Sequence, residues 1–125
     1  MKTRREQRIK ILEILYTLDL QGENDFEPTQ NAFIDEIIAG VITYQETIDA
    51  LIQNHLIKYT LKRLSYVDRA LLRMATFEMY GTPTPAEIVI NEALEIVKLY
   101  SDEGDGKMVG FINSVLDKIK IALNK

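Results

Sequence analysis

Apolar residues recur at three- and four-residue spacing along most of the chain, and the period-two alternation of a half-buried strand is missing from the sequence. The first such stretch covers residues 3–20, where Ile9, Ile11, Leu12, Leu15, Tyr16 and Leu18 form one broad apolar helix face. Thr3 is placed to cap it, Glu6 three residues on completes a capping box, and Gly22 and Asn24 end it. A polar loop over residues 21–31 follows, with Pro28 and Thr29 leading into the next helix. Phe33, Ile37, Ile38, Val41, Ile48, Leu51, Ile52 and Leu56 continue one stripe to about residue 58. Gly40 interrupts that stripe, so it reads either as one long bent helix or as two short ones, with Thr43 and Thr47 as candidate caps for a second piece.

The second half is punctuated more sharply. Ser65 can cap a helix carrying Asp68 at its third position, where an acid suits the helix dipole, with Val67, Leu71, Met74 and Met79 as apolar contacts and Gly81 as the stop. Arg69 and Arg73 lie on one face of it at i, i+4. Thr82-Pro83-Thr84-Pro85 is a hard break, and Thr84 as N-cap, Pro85 at the first helical position and Glu87 at the third make a clear new start. That helix runs to Tyr100, with Ala86, Val89, Ile90, Ala93, Ile96, Val97 and Tyr100 inward. The acidic, Gly-rich stretch 101–106 lacks the alternating oxygen ligands of a calcium loop and reads as a turn. The last helix carries Met108, Phe111, Ile112, Val115, Leu116 and Ile119. The pattern predicts an all-α fold in one domain, residues 1–125. Its helices fall into two packed clusters, about 3–58 and about 65–123.

Charge changes the picture more than composition does. The 125-residue chain has a net charge of −4, yet residues 1–10 carry Lys2, Arg4, Arg5, Arg8 and Lys10 against Glu6, leaving the remainder strongly acidic. A basic terminus on an acidic body implies a local anionic partner and room for a basic one elsewhere. Arg4, Arg5 and Arg8 are three and four residues apart in the first turns of a helix, where the dipole disfavours cations by roughly 0.3–1 kcal/mol each at low salt. They read either as a solvated polar face or as a phosphate clamp, and arginine's bidentate fork suits the clamp. Cysteine is absent, which excludes a disulfide framework and a thiolate metal site. The charged start lacks the apolar core of a signal peptide, and no apolar run approaches the ~20 residues of a membrane span, so a cytoplasmic protein without a membrane partner is expected.

Catalytic patterns do not emerge. The sequence has no Walker loop, GxGxxG, metal-spaced histidines or GxSxG. His55 is the single histidine and has no serine, cysteine or second histidine at a telling spacing. Binding, with no cofactor or metal, is expected rather than turnover.

Four stretches then take on a common meaning: RREQRIKILEILYTLDL, VDRALLRMATFEM, VINEALEIVKLY and FINSVLDKI. In combination they resemble the NusB family of transcription antitermination factors, over residues 60–120 and again over 2–20. The resemblance implies two roughly perpendicular three-helix subunits. It implies binding of boxA-like single-stranded RNA together with NusE, the small-subunit ribosomal protein, in support of an RNA polymerase elongation complex on ribosomal RNA operons. By position, it places Lys2, Arg4, Arg5, Arg8 and Phe111 at RNA and Tyr16 and Asp68 at NusE. From the residues alone, Phe111 fits the core stripe as well as an RNA contact, and Asp68 fits a helix-start acid as well as a partner contact. A helical interaction module without RNA-binding activity, such as a homodimer hiding its basic face, is the alternative.

Overall fold

The computed structural model describes residues 2–125, and among them it contains six α-helices and no strand. The helices are α1 (Arg4–Gln21), α2 (Ala32–Thr43), α3 (Gln45–Gln53), α4 (Tyr66–Gly81), α5 (Ala86–Tyr100) and α6 (Lys107–Ala122), with one 3-10 turn at Leu61–Arg63. The all-α expectation holds. Helix α4 packs against all the others, so its burial organises the two sets of three. Ala70, Leu71, Leu72, Met74, Ala75, Phe77 and Met79 are all buried there. A helix apolar over so much of its circumference belongs in the centre of a domain.

The local signals explain most boundaries. Thr3 and Glu6 form the full capping box at the start of α1, and Gly22, at φ 69°, ends it in the left-handed conformation that glycine adopts without strain. Ser65 caps α4 by accepting the Asp68 N–H at 3.1 Å.

Residues 33–58 resolve into two helices, and Gly40 is not the break. The chain turns at Tyr44, and neither Thr43 nor Thr47 caps α3. Gly40 lies buried inside α2 because the Phe77 ring rests on it; an added Cβ would fall 2.0 Å from Phe77 Cζ. Here glycine serves close packing rather than helix termination.

Two expectations about α5 need correction. Thr84 does not cap it; Pro85 occupies the N-cap position with no side-chain bond. Thr82 organises the turn instead, its hydroxyl donating to the Glu78 carbonyl at 2.6 Å and accepting the Thr84 N–H at 3.3 Å. Tyr100 points outward and is 52% exposed, because the last turn of α5 runs past the edge of the core.

Candidate functional site

The α1 arm enters the site from the capping box. That box fixes the entry of the chain, so Arg4 and Arg5 are displayed on the first turn, Lys2 just precedes the cap, and all three stay exposed. Arg4 donates to Gln7 Oε1 at 2.9 Å, and its guanidinium lies over the Phe33 ring, 4.0 Å from the centroid. This cation–π contact spreads the charge over an apolar plate from α2. Arg5 reaches across to α5 and donates through Nε and Nη2 to the two oxygens of Glu92, both at 3.0 Å. Hydrogen bonding from Arg5 is the chief cause that holds the Glu92 carboxyl below its ordinary range, and the same bond raises Arg5.

Arg8 corrects the reading of a three-arginine clamp. It does not project with Arg4 and Arg5. It is 4% exposed, and its Nε and Nη2 donate to Glu78 at 3.0 and 2.6 Å, with the Phe33 ring 5.5 Å away. Glu78 is 1% exposed, on a face of α4 turned to α1. The helical spacing that grouped the three arginines is too coarse to separate them. Four residues advance a helix by about 400°, so Arg4 and Arg8 differ by about 40° around the axis. That offset, with a buried acid waiting, turns Arg8 inward.

Phe111 lies elsewhere. It is half-buried at the start of α6 and meets Tyr59 edge-on, with ring centroids 5.6 Å apart. Tyr59, Arg63, Ser65, Asp68, Lys107 and Phe111 line one cleft of about 280 Å³. This cleft sits at the N-terminal end of α4, whereas Arg8 meets Glu78 near the C-terminal end. The 13 positions from Ser65 to Glu78 span about 20 Å at the helical rise. The α1 cations and Phe111 therefore lie apart, toward opposite ends of α4. Tyr59 and Arg63 escaped the sequence reading, although LIKYTLKRL carries an aromatic residue among three cations.

The residues expected at a protein partner are also placed. Tyr16 is half-buried and packs edge-on against Tyr66, with centroids 6.1 Å apart. Together with Ile9, Leu12, Thr17, Val67 and Tyr100 it lines a largely apolar groove of about 390 Å³ along α1. Asp68 is 4% exposed; its carboxylate accepts a hydrogen bond from the Ser101 hydroxyl and its backbone sits in the Ser65 cap. Asp68 thus ties α4 to the end of α5, and it lines the same cleft as Phe111.

Arg69 and Arg73, a face in the sequence, form a structural network. Arg69 Nε donates to Asp19 at 2.6 Å, and Arg73 grips Asp49 through two bonds at 2.8 and 2.9 Å. They fasten α1 and α3 to α4. His55 Nδ1 lies 2.7 Å from the Leu51 carbonyl, one turn back, which gives it a local partner. Among the described residues, no group of three or more histidine or acidic side chains could hold a metal, and no helix is long and apolar enough to cross a membrane.

Comparison with known proteins adds an independent line. The sequence model of the NusB family matches residues 2–120. The transcription antitermination protein NusB of Geobacillus kaustophilus (strain HTA426) is 38% identical, with 98% of each chain covered. Among solved structures, T. maritima NusB superposes with a TM-score of 0.79 at 34% identity, covering 95% of this chain and 92% of that one. A chain from a structure of antitermination factors NusB and NusE in complex with dsRNA superposes with a TM-score of 0.80 at 27% identity, covering 95% of this chain and 96% of that one.

Proposed function

The chain belongs to the NusB family, and we propose that it acts as a non-catalytic transcription antitermination factor that binds boxA-like RNA together with NusE. The observation that carries this reading is the match over nearly the whole length to a chain solved with NusE and RNA. In this reading the protein works in the cytoplasm as one NusB-like unit, its first three helices and its last three forming the two subunits. It joins RNA to the RNA polymerase elongation complex and needs no cofactor.

The geometry supports a division of labour. Lys2, Arg4 and Arg5 meet the RNA backbone at one end of α4, through phosphate contacts that release counterions. Phe111, with Tyr59, Arg63 and Lys107, offers rings and cations to an unstacked base at the other end. A single strand running between them would contact both. Arg8 supports this face from beneath by holding α1 on α4. The groove beside Tyr16 accepts NusE, and the acidic body draws a basic ribosomal protein toward it. Asp68, at the floor of the neighbouring cleft, sets the position of α4 and α5 under that partner.

Size-exclusion chromatography of the purified chain with NusE and a boxA-like RNA tests the proposal. A complex of all three, dissociated by salt, is expected. A stable dimer that ignores both would instead favour the interaction module without RNA-binding activity, a reading to which the internal pairing of Arg5 and Arg8 lends some weight.

A further inference from the structure

Arg8 is committed inside the protein and Arg4 is laid on Phe33. The Arg5–Glu92 pair is different in kind. Its side chains are 46% and 24% exposed, against 5% and 1% for Arg8 and Glu78. Water and an incoming anion therefore reach the first pair and not the second. Glu92 presents two oxygens to the Arg5 fork, each 3.0 Å from its donor, which is the bidentate arrangement a phosphate would use. A phosphate cannot take that fork while the carboxylate holds it.

Resting on the RNA-binding reading above, we propose that Glu92 is a built-in competitor for RNA phosphate at Arg5. Its carboxylate occupies the guanidinium fork in the free protein and is displaced when RNA binds. Glu92 thereby sets the affinity and salt dependence of the α1 arm while making no favourable contact with RNA itself. Displacement is feasible because an ion pair this open is weakly held and the released carboxylate rehydrates in place. Glu95 supplies the control. It adds negative charge near Arg5, but its own bond goes to Lys98 at 3.1 Å rather than to the fork.

The test is a double-mutant cycle read by fluorescence anisotropy with a labelled boxA-like single-stranded RNA, with circular dichroism confirming each fold. Glu92→Gln keeps the volume and removes the charge; it is expected to bind about two- to fivefold tighter at low salt, the gain shrinking as salt rises. Glu95→Gln should gain less. With Arg5→Ala already in place, the Glu92→Gln gain should fall to the Glu95→Gln level. Affinity unchanged or weakened by Glu92→Gln, or a gain that survives without Arg5, overturns the inference while an Arg5→Ala loss leaves the RNA reading standing. A wild-type chain that holds no RNA at all overturns both.

Discussion

Replacing Arg8 by alanine separates a buried structural arginine from a surface RNA ligand. The guanidinium is 4% exposed and grips a carboxylate that is 1% exposed, through bonds of 3.0 and 2.6 Å. Truncation removes the cation and leaves the Glu78 charge buried without it. Breaking one side of such a pair costs about 3–5 kcal/mol, a large share of the roughly 5–15 kcal/mol that holds a domain folded. Interpolating for this chain length, the melting temperature should fall on the order of 10–20 °C. Thermal and urea unfolding followed by circular dichroism would measure it. Arg8→Met combined with Glu78→Leu removes both charges and should recover most of the loss, since the penalty comes from the charge left behind. A single-variant loss below about 0.5 kcal/mol, the range of ordinary surface substitutions, would mean that Arg8 is not a buried structural arginine. So would a double variant no better than the single one.

Other outcomes follow from the packing and the charges. Gly40→Ala should destabilise by roughly 1–3 kcal/mol or more in urea unfolding, because its Cβ meets the buried Phe77 ring at 2.0 Å. Asp35 accepts hydrogen bonds from the Thr29 N–H and then the Thr29 hydroxyl, and the first is the larger cause of its lowered pKa. A lowered folded value means stabilisation that is complete above the ordinary 3.8 and is lost as the pH falls through the depressed value. Asp35→Asn should accordingly show a flatter stability profile in acid than wild type, measured by denaturation from neutral pH downward. Phe111→Ala with Tyr59→Ala should weaken RNA binding by about 1–3 kcal/mol for each stacked base lost, with little change in the salt slope, in anisotropy titrations.

What was legible in the sequence was local. Thr3, Glu6 and Gly22 bound α1, and Ser65 starts α4, because caps act over three or four residues and leave a readable spacing. The core stripes were legible for the same reason: Ile11, Leu12 and Leu15 recur at the helical period and are buried. What depends on distant residues was not. Arg8 looks like Arg4 on a helical face, and only Glu78, seventy positions away, decides that it turns inward. Gly40 carries the mark of a helix breaker, and only the Phe77 ring shows that it is a packing glycine. Tyr100 keeps the inward period of α5 but lies beyond the core that the period serves. At the site, the sequence singled out the arginines and Phe111, while their companions Glu92, Phe33 and Tyr59 became visible only when the helices were brought together.

In the proposed function, Lys2, Arg4 and Arg5 at the exposed start of α1 contact RNA phosphates. The most direct measurement is the salt dependence of RNA affinity for wild type and for Arg4→Ala/Arg5→Ala, two positions whose side chains are exposed and whose loss spares the Arg8–Glu78 pair. Each lost phosphate contact flattens the log–log slope by about 0.7 on a single strand, so the double variant should bind more weakly with a slope shallower by about 1.4. Equal affinities and parallel salt lines would mean that Arg4 and Arg5 make no RNA phosphate contact.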